Sequence, residues 1–184
     1  MANNIWRHRA IAAAMGITAL LAVTGAGAVI TRRSNAEAAE MRAKAKQRLV
    51  AYYHSQGDSN SAKVSEGIFE RRSAVASRGW QAEDFDFFLS ISSKPVDQVV
   101  ICQALGVLIS QEKQGNLDEK QTERLVATAR GLFTHKDWLV RCYGLNLCGK
   151  LGDRSAKARV SNLSQSDENQ SVREQAAKTL LLLD

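Results

Sequence analysis

The side chains with reactive chemistry in this chain are few and scattered. The histidines are His8, His54 and His135, and the cysteines are Cys102, Cys142 and Cys148. No pair of them stands at the spacing of a zinc site such as HExxH or CxxC, so the sequence offers no metal ligands. Cys142 and Cys148 lie six apart on one predicted helix, too far for a disulfide. The reading is three buried thiols used for packing, which suits a reducing compartment. A cysteine nucleophile would need a histidine partner, and no pattern supplies one. Glu83, Asp84 and Asp86 form an acidic cluster at a predicted helix start, where the helix dipole explains it better than a cation does. Asn162-Leu163-Ser164 has the form of a glycosylation sequon, a triplet that arises often by chance. No glycine-rich phosphate loop occurs. The sequence therefore predicts no catalytic residues, no cofactor and no metal, and the chain is read as not an enzyme.

The charge distribution points elsewhere. The net charge of +6 resides wholly in the first 50 residues. Arg7 and Arg9 precede an uncharged run. Arg32, Arg33, Arg42, Lys44, Lys46 and Arg48 follow it, against only Glu37 and Glu40. Residues 51–184 carry 17 basic and 17 acidic side chains. A nucleic-acid binder needs a basic face on its folded part, so no nucleic-acid partner is expected.

The run between the basic flanks is AIAAAMGITALLAVTGAGAVI, residues 10–30. As a helix its 21 residues span about 31 Å, the thickness of a bilayer core. Residues 1–9 are then a short flank and 10–30 a single transmembrane helix. The richer basic flank on the C-terminal side predicts a cytoplasmic C-terminal domain. The alternative is a signal sequence: Ala26-Gly27-Ala28 has the small-x-small form of a cleavage site, and cutting near Ala28 would release an exported, periplasmic protein. An organelle presequence suits the four arginines and absent acids of the first 36 residues, but the apolar core is too continuous for an amphipathic transit helix.

Residues 31–56 are strong helix formers and read as a basic helical stalk, with Glu40 and Lys44 an i,i+4 pair. Residues 57–61, GDSNS, read as a linker. The rest, residues 62–184, reads as a helical domain. A helix ending near Gly79 covers its first edge.

From residue 82 onward the pattern is about three helix pairs. Their second helices align on Val100, Val140 and Val172. Ala104, Gly144 and Ala176 stand four residues on, and Leu108, Cys148 and Leu180 eight on. These positions share one helix face, and the small central residue allows close helix approach. Asp97 and Asp137 stand three before the aligned valine, where an acidic side chain caps the helix. Spacings of 40 and 32 residues fall in the range of helical-pair repeats.

Asp137-Trp138-Leu139-Val140-Arg141, and Asp167 followed by Val172-Arg173, resemble the HEAT repeat. That family carries an Asp in the inner turn and a Val-Arg at the start of the second helix, forming a ladder between units. In the first unit Ile101 stands where the arginine is expected. The resemblance covers about residues 82–184. It implies an all-α chain ending in a short HEAT-like α-solenoid, with Arg141 and Arg173 chiefly structural rungs. It also implies a non-catalytic, protein-binding module, the scaffold or accessory subunit of a membrane-associated complex. Arg141, Asn146, Lys150, Glu174 and Lys178 on the second helices are the candidate partner contacts. Leu181 and Leu182 join them, because Leu180–Leu183 cover every side of the last turn. Either that turn packs all round within its own domain, or it meets a partner or a second copy of the chain. A HEAT-like lyase or ligand-binding protein is the remaining reading, and it would need a pocket with convergent polar groups that the sequence does not show.

Overall fold

The computed structural model describes residues 32–184. The predicted transmembrane or signal segment, residues 10–30, lies outside the described residues, as does His8. Among the described residues every regular element is a helix. None of those helices is long and apolar enough to cross a membrane.

Helix α1 spans Arg32–Ser55 and α2 spans Ser59–Arg78. The chain divides into two compact units between Phe69 and Glu70, within α2. In the first unit, Glu40 and Lys44 make the expected i,i+4 pair at 2.6 Å on the exposed side of α1. The expected linker is shorter than residues 57–61. Gly57 takes a positive φ of 72°, and Asp58 Oδ1 accepts from the Ser61 N–H at 2.9 Å. That cap draws Ser59, Asn60 and Ser61 into α2. Gly79, φ 82°, ends α2 as its position predicts.

The second unit continues with α3 (Ala82–Ile91), α4 (Gln98–Lys113), α5 (Glu119–Gly131), α6 (Trp138–Lys150), α7 (Lys157–Ser166) and α8 (Gln170–Leu183). Short 3₁₀ turns, Leu132–Thr134 and Arg154–Ala156, tighten the end of α5 and the entry to α7. Helices pack as consecutive pairs, α3 with α4, α5 with α6 and α7 with α8. The second members then stack in order, α4 on α6 and α6 on α8.

The same device starts each second helix. Asp97, Asp137 and Asn169 each accept, through a side-chain oxygen, the N–H two residues on, at 2.8, 2.8 and 2.9 Å. The three turns differ in length, yet each ends on an acceptor that fixes where the helix begins. The aligned positions then fill the core. Val100, Val140 and Val172 have no solvent exposure, and neither do Ala104, Ala176, Leu108 and Cys148. Leu180 departs from the pattern: it is half-buried, and Leu183 is the buried leucine of the last turn.

Gly144 shows what the small central position does. A Cβ there would lie 2.8 Å from Leu132 Cβ and 2.9 Å from the Ala129 carbonyl oxygen. Helix α6 thus touches the end of α5 almost backbone to backbone. On its other side, the buried Thr179 of α8 donates to the Leu145 carbonyl of α6 at 3.1 Å.

Candidate docking faces

The repeated Val-Arg resolves into hydrogen bonds. Arg141 Nη1 donates to the carbonyls of His135 and Lys136, at 2.9 and 3.2 Å, in the turn before its own helix. Arg173 Nη1 donates to the carbonyls of Asp167 and Glu168, at 2.7 and 3.3 Å, in the turn before its own helix. The offsets are the same, six and five residues back. Arg141 goes further. Its Nη2 donates to Asp167 Oδ1 at 2.8 Å and reaches Glu168 at 3.4 Å, joining the second turn to the third. Ile101, buried, holds the matching place in α4, so that position carries no guanidinium to make a rung.

Arg141 is therefore corrected as a partner contact. It is only 6% exposed and commits three turn acceptors to the fold's interior. Burial pulls Asp167 toward the neutral form. The Arg141 hydrogen bond, the Asn169 N–H and the arginine charges outweigh burial and hold its carboxyl below the usual carboxylate range.

Two further carboxylates were not singled out as structural from sequence. Asp84, fully buried, closes a capping box with Gln81. It takes two hydrogen bonds from Arg78, at 2.6 and 3.0 Å, and Arg71 approaches at 3.3 Å. The acidic cluster is thus more than a dipole effect. Asp86 pairs across to Arg124 of α5 at 2.7 Å, and Glu83 stays exposed. The Q-x-x-D spacing of Gln81 and Asp84 was the available signal. Asp153 takes Arg130 Nε and Nη2, both at 2.6 Å. The arginine lies 23 residues earlier, and no local pattern announces it.

Asp84 and Asp153 are also held below the usual range, Asp84 by its arginines and the Gln81 N–H against burial, Asp153 foremost by Arg130. A carboxyl whose folded pKa lies below its unfolded value stabilises fully above about pH 4 and loses that stabilisation as the pH falls through the folded value. Urea midpoints are expected to stay level from pH 7 to about pH 5 and to drop below about pH 4. D167N should flatten part of that drop.

The thiols differ slightly from expectation. Cys102 and Cys148 are buried, and Cys142 is half-buried. Burial pushes all three up, Cys142 and Cys148 to about 11. Iodoacetamide at neutral pH is expected to label Cys142 and Cys148 about 100-fold more slowly than a free thiol of ordinary pKa, and Cys102 slowly as well. All three should label at once in urea. Among the described residues no group of His, Cys, Asp and Glu could hold a metal ion. His135 is engaged, its Nδ1 accepting from the Asp137 N–H at 3.1 Å. An open groove of about 500 Å³ runs along α5, lined by Leu117, Thr122, Val126 and Arg130 among others. Its walls come from one helix and the turn before it, so no polar groups converge there from facing elements.

The remaining candidates fall on open surface. Along α6 the residues not fully buried include Leu139, Cys142, Tyr143, Asn146 and Lys150, which share one side of the helix at spacings of three, four and seven. The aligned positions on α8 are Ser171, Glu174, Gln175, Lys178 and Leu182. Those on α4 are Val99, Gln103, Gly106 and Ser110, with Cys102 buried at the remaining position. Asn146, Lys150, Glu174 and Lys178 thus belong to one face running across the stacked second helices. Sequence reading omitted three of its members, the less polar Leu139 and Tyr143 and the amide Gln103. Gln103 has a buried Oε1 with no hydrogen-bond partner. Burial also lowers Lys150, helped by the nearby charge of Lys113. Glu174 accepts from Gln170 on its own helix at 2.8 Å. Leu181 and Leu182 are 76% and 59% exposed, so among the described residues the last turn does not pack all round.

No protein-family model, curated protein or solved structure matches the chain.

Proposed function

We propose that the chain is a membrane-anchored, non-catalytic protein-binding module, a scaffold or accessory subunit of a membrane-associated complex. In this reading residues 10–30 span the bilayer and residues 31–56 form a basic stalk on the cytoplasmic side. Residues 82–184 are a short HEAT-like α-solenoid of three helix pairs. The observation that carries the binding role is the open face shared by α4, α6 and α8. Its helix starts are set by caps and by the Arg141 rung, while Asn146, Lys150 and Lys178 lie on it, the two lysines outside any ion pair among the described residues. A face with polar groups around half-buried apolar ones has the make-up of a protein interface, with an apolar centre and a polar rim.

Alkaline carbonate extraction tests the anchor. The full chain is expected in the membrane pellet, and a chain lacking residues 10–30 in the supernatant. Protease added to sealed right-side-out vesicles should leave residues 62–184 intact. A chain that appears in the supernatant shortened at Ala28 would replace this reading with the exported one.

A further inference from the structure

The stacking has a direction, and α8 is its last helix among the described residues. On α6, Arg141, Leu145 and Gly149 meet the following unit, and Ile101, Leu105 and Ile109 hold the same register on α4. All six are buried. Gly149 shows by what: a Cβ there would lie 2.9 Å from Leu182 and 3.3 Å from Thr179 of α8. The same register on α8 gives Arg173, Ala177 and Leu181. Arg173 is half-buried and the other two are exposed.

Arg173 carries the decisive detail. Its Nη1 repeats the bonds of Arg141 to its own turn, but its Nη2 has no partner among the described residues, where Arg141 Nη2 holds Asp167 of the unit that follows. The guanidinium is already oriented by its turn, so an incoming carboxylate meets a pre-organised donor. Eight residues on, Leu181 offers an apolar surface where Ile109 and Gly149 offer theirs.

We propose that this end of α8 docks a helix pair of a partner protein, one whose connecting turn presents a carboxylate to Arg173 and whose second helix lays a flat apolar surface on Leu181. The occupant is defined by the joint between α6 and α8: an acidic turn, then a helix. It deepens the protein-binding reading and rests on it, but uses a different face from Asn146, Lys150 and Lys178.

A surrogate occupant tests it in the full chain. Asp184 is replaced by a second copy of residues 152–184, so that Gly152, φ 64°, falls at the register it holds after α6. The copy carries L182A, because Leu181 fills the space that Gly149 leaves open. The appended helices are expected to gain amide-exchange protection and to raise the melting midpoint by about 4 °C or more. D167N in the copy should remove much of that gain. Appended residues that exchange like unfolded chain, with the midpoint unmoved, would overturn the proposal. So would a dimer of the native-length chain in sedimentation equilibrium that L181D converts to monomer, since the face would then belong to a second copy. Neither result bears on membrane anchoring or on the face that holds Lys150, so failure here is distinct from failure of the functional reading.

Discussion

R141L is expected to destabilise the second unit by about 3–5 kcal/mol, measured as a shift of the urea transition. The change removes the partner of Asp167, which is almost as buried as the guanidinium, with side chains 6% and 7% exposed. It also strands the carbonyls of His135 and Lys136. An unpaired buried carboxylate is far more costly than a missing surface bridge, because water cannot replace the lost donor. The matched change R173L also removes bonds to its own turn but leaves no buried acid behind, so about 1 kcal/mol is expected. The contrast separates a rung joining two units from a brace within one. Adding D167N to R141L should restore part of the loss, because a neutral amide is cheaper to bury alone than a carboxylate. If R141L and R173L cost the same, the ladder interpretation of Arg141 is wrong.

The second large effect concerns glycines in the middle of helices. Gly-to-Ala normally stabilises a helix by up to about 1 kcal/mol. G106A in α4 should show that gain, because a Cβ there meets nothing within 4 Å. G144A should show the opposite sign. Its methyl would press on the Ala129 carbonyl oxygen at 2.9 Å and on Leu132 Cβ at 2.8 Å, and backbone cannot swing aside as a side-chain tip can. Overpacking costs about 1–3 kcal/mol, which leaves a net loss of about 1–2 kcal/mol; G144V should lose more. G149A falls between them, since its closest contact is the flexible end of Leu182. Thermal unfolding of the three single variants checks the order. A stabilised G144A would mean that α5 and α6 are further apart than described.

Helix content and pairing were legible because the apolar positions repeat at helical spacing and the caps stand at a fixed distance before them. Asp97 and Asp137 are read from that offset alone, and the structure places both on the expected N–H groups. The small residue at Gly144 was legible for the same reason. Contacts over longer chain distances were not. Nothing near Asp153 in sequence points to Arg130, and Arg141 was read as both rung and contact because spacing cannot show which way a guanidinium turns. The sequence leaves the last turn open between two readings, and the exposure of Leu181 and Leu182 beside the buried Leu183 decides between them. Four consecutive leucines carry no periodicity from which to choose.

The central claim is a membrane-held module that grips another protein. It is tested most directly by purifying the full chain from its own membranes in mild detergent and weighing every component intact. The account predicts a chain that retains residues 1–28 and brings a partner in fixed stoichiometry, one that K150E with K178E releases. A solitary chain, cut after Ala28 and recovered from the soluble fraction, would contradict it.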